Sequence, residues 1–210
     1  MTRLVFVHGW GFTPDFWRPL TDMLRDYDHK FVDLGFTGNI EPVDDEAAFY
    51  ITHSMGLAWV CEHVSKCAGI VAINGFTKFC ADDDWPNGMA PRLLTRMIRQ
   101  FDRDPARVWC EFMKNCGMED PVYPQGMDEQ ALGTGLRYLQ TCDVRKSFAA
   151  LTCPKLAISA GQDQIVSEKM STASFGEGVI WYKDANHLLP LFEPQALADD
   201  IRRFLDQSAA

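Results

Sequence analysis

The run Ala48-Phe49-Tyr50-Ile51-Thr52-His53-Ser54-Met55-Gly56-Leu57-Ala58 constrains this chain more than any other stretch. An apolar segment stops at a serine, and a segment of small, helix-compatible residues starts directly after it. Buried strand, sharp turn and helix together make a nucleophile elbow, whose turn lifts a hydroxyl clear of a sheet and holds it at a helix N-terminus. There the backbone N–H groups and the helix dipole favour negative charge. Gly56 lets the helix pack closely. The pattern is usually G-x-S-x-G, and here Thr52 stands in the first glycine's place. Ser54-Met55-Gly56-Leu57 alone also fits any strand-to-helix turn, so other stretches must decide.

The rest of the chain supplies a sheet for such an elbow to stand on. Leu4–Val7 reads as a short buried strand running into the loop His8-Gly9-Trp10-Gly11-Phe12. Phe16, Trp17, Leu20, Met23 and Leu24 then recur at helical spacing. Strands follow at Lys30–Leu34, Ala48–Thr52 and Gly69–Asn74, with a helix from Leu57 to about Lys66. The alternation implies βαβ units and a parallel sheet. Between Asn39 and Ser54 the connection is short and carries Pro42 and the acids Asp44-Asp45-Glu46, so any crossover helix there must be vestigial. From Phe76 to Thr141 the alternation stops, and amphipathic segments at Pro91–Asp102, Pro105–Lys114 and Met127–Leu139 read as helices inserted between two strands. The sheet resumes at Lys155–Ser159 and Val179–Tyr182, with a helix from Ser167 to about Ser174 between them and a last helix at Pro194–Leu205. The expected architecture is therefore α/β: a mostly parallel sheet of about six strands flanked by helices. The core comprises 1–75 and 142–210, and a helical lid occupies 76–141.

Composition narrows the classes of function. Hydrophobic residues make up 47% of the 210-residue chain and charged residues 23%, as in a globular protein with a full core. No apolar run approaches the roughly 20 residues of a membrane span. A net charge of −9 argues against nucleic acid as a partner. The seven cysteines are irregularly spaced, with no Cys-x-x-Cys, which disfavours a disulfide scaffold or structural zinc and fits a cytoplasmic protein. The segment after Arg3 is too short for the apolar core of a signal peptide. No metal or organic cofactor, no membrane partner and a monomeric state are expected.

Ser54, Asp163 and His187 each fall just past the C-terminal end of an expected parallel strand, the edge where open α/β sheets collect ligands and catalytic groups. Their chain order is that of the α/β-hydrolase triad. The chemistry needs all three, because a serine hydroxyl is a weak nucleophile near neutral pH. An imidazole must take its proton, and a carboxylate must orient that imidazole and stabilise its cation. Two N–H donors must face the developing oxyanion. Met55 offers one by position, and Trp10, between two glycines, offers the second. Rivals are present. His187 also fits an ordinary turn histidine, and Asp143 and Asp184 compete with Asp163. His53 adjoins Ser54, but successive side chains on a strand point to opposite faces, which makes it a poor base. His8 fits a structural part in the oxyanion loop.

Several stretches resemble the pimeloyl-(acyl-carrier protein) methyl ester esterase family of biotin synthesis, within the α/β-hydrolase superfamily. His8-Gly9-Trp10-Gly11 with Trp17 is similar to its oxyanion loop, and Asp33-Leu34-Gly35-Phe36 to its Asp-Leu-Pro-Gly-Phe. Asp84-Trp85-Pro86 is similar to the start of its lid, and Gly135-Leu136-Arg137-Tyr138-Leu139-Gln140-Thr141-Cys142-Asp143-Val144-Arg145 to the end of it. Asp163-Gln164-Ile165-Val166 and Ala185-Asn186-His187 match the acid and base segments. The chain departs from the family at Thr52 and Ala160, in the short crossover, and in starting at what would be the family's third strand. The resemblance implies an α/β-hydrolase fold with a helical lid, and a serine carboxylesterase acting on a methyl ester of a medium acyl chain held by an acyl-carrier protein. It also places Phe112 against the acyl chain, where a plain core role is the alternative. Arg92, Arg96, Arg99 and Arg103 lie at i, i+4, i+7 and i+11, on one helical face, with Arg107 beyond. Such a stripe suits docking of an acidic carrier protein; the alternative is a solvated face paired with Asp102 and Asp104. Two further functions fit the same residues: a general esterase or thioesterase on small acyl compounds, and a ligand-binding relative with little turnover.

Overall fold

The computed structural model describes residues 1–38, 40–41 and 45–208. Asn39, Pro42 and Asp44 of the short connection noted above lie outside the described residues. The chain begins with β1 (Arg3–Val7), a 3-10 turn (Pro14–Trp17) and α1 (Arg18–Met23). It continues with β2 (Asp28–Leu34), β3 (Ile40–Glu41), β4 (Phe49–His53), α2 (Met55–His63) and β5 (Gly69–Ile73). The insertion then contributes α3 (Pro91–Phe101), α4 (Pro105–Cys116) and α5 (Glu129–Thr141). After it come α6 (Arg145–Ala150), β6 (Lys155–Ala160), α7 (Glu168–Phe175), β7 (Val179–Tyr182), α8 (Leu189–Phe192) and α9 (Pro194–Ser208).

The sheet runs in the order β3-β2-β1-β4-β5-β6-β7. Its six longer strands are parallel, and only the two-residue β3 pairs antiparallel, on the edge of β2. Every residue of β4 and β5 is buried, as is β1 apart from Arg3. That is why these strands read as continuous apolar runs: helices cover both of their faces. On one side α1 packs with α8 and α9, and elsewhere α2 packs with α6. No helix among the described residues is long and apolar enough to cross a membrane.

The expected elements are present with shifted ends, and the differences are local. The first helix splits into a 3-10 turn and α1, where Pro14 and Pro19 each sit near a helical start. The short connection before β4 holds β3 in place of any helix among its described residues. The short helices α6 and α8 have too few turns to show a period, and neither was expected.

No sheet strand lies between β5 and β6 among the described residues; the insertion there is helical. Its two ends are clasped together. Arg145 bonds both Asp143 and Asp84, at 2.6 and 3.1 Å, and its guanidinium lies 5.3 Å from the Trp85 ring centroid. Lys78 reaches Asp143 at 3.3 Å and also pairs with Asp82. The two stretches that carried the resemblance at the lid's start and end thus meet in space.

Candidate active site

The elbow is built as the sequence implies. Ser54 follows β4 with φ 53° and ψ −122°, outside the regions an L-residue ordinarily takes. Such strain persists only where surrounding structure holds it, and it marks functional turns. Here the Ser54 N–H is held by the Ile73 carbonyl at 3.1 Å, and α2 starts at the next residue. A Cβ on Gly56 would lie 2.3 Å from the Val7 carbonyl oxygen, so only glycine lets α2 approach β1 this closely. Thr52 needs no glycine's freedom: it sits in regular strand and its hydroxyl donates to the Val71 carbonyl at 3.1 Å.

Asp163 lies in the loop after β6. Its Oδ1 accepts the N–H groups of Ile165 and Val166, at 2.7 and 2.9 Å. Its Oδ2 accepts from His187 Nδ1 at 2.6 Å, with both side chains almost fully buried. That bond fixes the tautomer and leaves Nε2 as the lone-pair nitrogen. Nε2 is buried and has no hydrogen-bond partner among the described residues. Ser54 is 5% exposed and its hydroxyl does not bond Nε2 in this state; such bonds often tighten only once substrate is seated. Asp143 is committed to Arg145 and Lys78, and Asp184 is exposed, so neither rival acid meets the imidazole.

Two residues unassigned by sequence reasoning hold the His187 loop. Asn74, at the end of β5 with φ 47°, donates to the carbonyls of Asn186 and His187 at 3.2 and 3.1 Å. Its Oδ1 accepts from Ala160 N–H at 2.9 Å, which ties β5, β6 and the loop into one unit. His53, expected to face away, brings its ring to 4.6 Å from that of His187, centroid to centroid. Its Nε2 donates to the His187 carbonyl at 2.9 Å, so it grips the backbone and does not act on the imidazole nitrogens. Burial, then the neighbouring His187, push the His53 pKa well down, keeping it neutral. The signal available in the sequence was a polar residue closing each of two apolar strands.

The loop after β1 lies over the elbow: a Cβ on Gly9 would stand 2.9 Å from Ser54 Cβ. Among the described residues neither the Trp10 nor the Met55 backbone N–H donates to a backbone carbonyl. The Trp10 indole donates to the Leu132 carbonyl at 2.8 Å, and its ring meets Phe112 edge-on at 4.8 Å. His8 has a structural place: Nδ1 donates to the Gly9 carbonyl at 2.9 Å and Nε2 accepts from Leu34 N–H at 3.2 Å.

Phe112 faces His187 at 6.4 Å and also lines a mostly apolar cavity of about 250 Å³ among the inserted helices. The cavity touches the acid loop at Gln164 and Ile165, and Arg96 and Gln100 line it as well. Those two residues are shared with a groove of about 460 Å³ that also holds Arg92, Arg99 and Arg103. All four arginines are exposed, and among the described residues none has an ion pair. Asp102 pairs with Arg137 instead, and Asp104 caps α4 and pairs with Arg107.

Residues 4–200 match the alpha/beta hydrolase family, and the chain belongs to it. It is 27% identical to the pimeloyl-(acyl-carrier protein) methyl ester esterase of Sodalis glossinidius over 203 residues, covering 80% of this chain and 77% of that one. It is also 27% identical to the enzyme of the same name from Photorhabdus laumondii, covering 80% and 76%. Among solved structures, an esterase from Exiguobacterium antarcticum superposes with a TM-score of 0.82 at 14% identity, over 98% of this chain and 92% of that one. An enol-lactonase from Burkholderia xenovorans superposes with a TM-score of 0.77 at 13% identity, over 98% and 91%. The structural likenesses speak for the shared fold.

Proposed function

We propose that this carboxylic ester hydrolase works through Ser54, His187 and Asp163, and that its substrate is a methyl ester on an acyl chain delivered by an acyl-carrier protein, as in biotin synthesis. The observation that carries the reading is the His187 imidazole, held at Nδ1 by a buried carboxylate while its buried Nε2 is left without a partner among the described residues; the strained turn of Ser54 directly follows His53, whose ring lies 4.6 Å from that of His187. His187 Nε2 takes the Ser54 proton as Oγ attacks the ester carbonyl. The N–H groups of Trp10 and Met55 receive the oxyanion. Collapse of the tetrahedral adduct expels the alkoxide, which leaves with the proton from His187. A water deprotonated by His187 then frees the acid from Ser54. Asp163 orients the ring throughout and stabilises its charged form.

The lid supports the carrier-bound substrate. An apolar cavity beside Phe112 suits an acyl chain, and it shares Arg96 and Gln100 with the basic groove. On a chain of net charge −9, four arginines without an ion pair among the described residues favour an acidic partner. On this reading the enzyme is cytoplasmic and the 76–141 helices form its lid.

The test has two parts. A fluorophosphonate probe should label the protein and fail on Ser54→Ala; labelling of that variant at another residue would sink the triad. Pimeloyl-carrier methyl ester should then be turned over with a higher kcat/KM than short p-nitrophenyl esters. The reverse preference would favour a general small-acyl esterase.

A further inference from the structure

All seven cysteines are free thiols, and two of them lie together far from the proposed site. Cys67 precedes β5 and Cys153 precedes β6, the adjacent parallel strand. The two segments are bonded through Ile70 N–H and the Pro154 carbonyl at 3.0 Å. Their sulfurs stand 3.4 Å apart, with the Cys67 thiol donating to Cys153. The proposed site occupies the opposite, C-terminal edge of the sheet. Cys67 is buried and Cys153 is half-buried, so solvent reaches the second of the pair.

We propose that Cys67 and Cys153 form an oxidisable dithiol, converted by a hydroperoxide into an intrachain disulfide that staples β5 to β6 outside the catalytic centre. The chemistry is asymmetric. The hydrogen bond from Cys67, with Lys155 nearby, draws the Cys153 pKa down to about 7, against the opposing effect of burial. Burial instead pushes the neighbouring Cys61 up to about 12 and holds Cys116 well above the usual thiol value, which leaves them inert thiols. The Cys153 thiolate attacks the O–O bond of hydrogen peroxide. One oxygen stays on sulfur as sulfenic acid, and hydroxide leaves and takes up a proton. The Cys67 sulfur then attacks the sulfenic sulfur, the S–S bond forms, and water carries away the oxygen and the Cys67 proton. Two thiols lose two electrons and the peroxide gains them. The sulfurs must close from 3.4 Å to about 2.05 Å, a movement two loop residues ahead of their strands can make.

Position decides the consequence. The two cysteines are 86 residues apart and enclose β5, the whole helical insertion and α6. A crosslink there restricts the unfolded chain over a long loop, the arrangement in which a disulfide is expected to stabilise most. Peroxide exposure should therefore raise thermal stability while leaving ester chemistry unchanged.

The experiment treats the purified, full chain with hydrogen peroxide or dithiothreitol, removes the reagent, and measures intact mass, titratable thiols after denaturation, Tm and turnover of a short ester. The expected result is a loss of 2 Da and of two of seven thiols, a 67–153 linked peptide, a Tm raised by about 5 °C or more, and turnover within twofold of the reduced protein. Cys153→Ser should keep its six thiols, Cys67→Ser should stop at an uncrosslinked, oxidised Cys153, at least 16 Da heavier with five titratable thiols, and neither should show a Tm rise, while Cys61→Ser should still lose two. In the parent protein, sulfinic or sulfonic acid on Cys153 without a crosslink would overturn the proposal. So would dimers joined through Cys153, a link to another cysteine, or an oxidised form melting no higher than the reduced one.

Discussion

The C-terminal edge of the sheet and the outer face of α3 use polar side chains in opposite ways. At the sheet edge the polar groups that hold the His187 loop are committed, while His187 Nε2 and His53 Nδ1 have no partner among the described residues. Asp163 accepts three hydrogen bonds, Asn74 makes three, and His53 grips the His187 backbone. On α3 the arginines are exposed and have no ion-pair partner among the described residues. A buried polar network fixes one geometry, because each missing partner costs a desolvated group. A free, exposed charge fixes no geometry, but it steers a partner at long range and is screened by salt. The first region is suited to chemistry and the second to recognition, so substitutions in them should fail differently.

The largest effect is expected at the carboxylate. Asp163→Asn keeps the shape but presents an amide to His187, allowing the wrong tautomer, and should lower kcat by roughly 10³–10⁴-fold with the fold intact by circular dichroism. A loss under tenfold would mean that another acid serves His187. Next is Asn74→Ala, which removes two bonds to the catalytic loop and one to β6. Stability should fall by about 2–4 kcal/mol in urea unfolding, and kcat by about 10–100-fold as the imidazole loses its placement. Unchanged kcat beside lost stability would reduce Asn74 to a fold element.

The recognition surface should yield less, and only for one substrate. Arg96→Glu combined with Arg99→Glu should reduce kcat/KM for a carrier-bound ester by about tenfold at low salt, with the deficit shrinking at high salt. Turnover of a short free ester should stay the same. Equal losses on both substrates would erase the contrast between the two regions.

This contrast also explains what the sequence could disclose. The turn at Ser54 and the candidates Asp163 and His187 were legible because each follows an apolar strand, and strands buried on both faces leave an unmistakable pattern. The inserted helices were legible by their period, and the arginine stripe by its spacing. What stayed hidden depends on contacts between distant segments. Asn74 acts on residues 112 and 113 positions away, and His53 on a carbonyl 134 positions away. Rules about alternating faces set His53 aside as a base, yet could not foresee a ring reaching the backbone of His187. The 67–153 proximity was invisible for the same reason, since irregular cysteine spacing carries no register. The two-residue β3 and the short α6 and α8 fall below the length at which periodicity exists.

The smallest expected effect concerns His53 and separates its structural part from catalysis. In the unfolded chain its pKa is near 6.5, and in the folded protein burial beside His187 holds it well below that. Between the two values the unfolded chain binds a proton that the native protein refuses. Stability conferred by the native state is therefore full above pH 6.5 and declines as pH falls below it, by at most about 1.4 kcal/mol per pH unit for one group. The carboxylates whose pKa values are lowered by ion pairs, such as Asp45 beside Arg3, lose their contribution only nearer pH 4, so the window from pH 6.5 to 5 reports mainly on histidine. His53→Gln keeps an N–H able to reach the His187 carbonyl but cannot titrate. Its urea midpoint should vary less than that of the parent protein across this window, with kcat at pH 8 reduced no more than a few fold. A parent and variant with parallel pH profiles would show that His53 already accepts a proton in the folded state, and the grip on the catalytic loop would then have to survive a second positive charge 4.6 Å from the His187 ring.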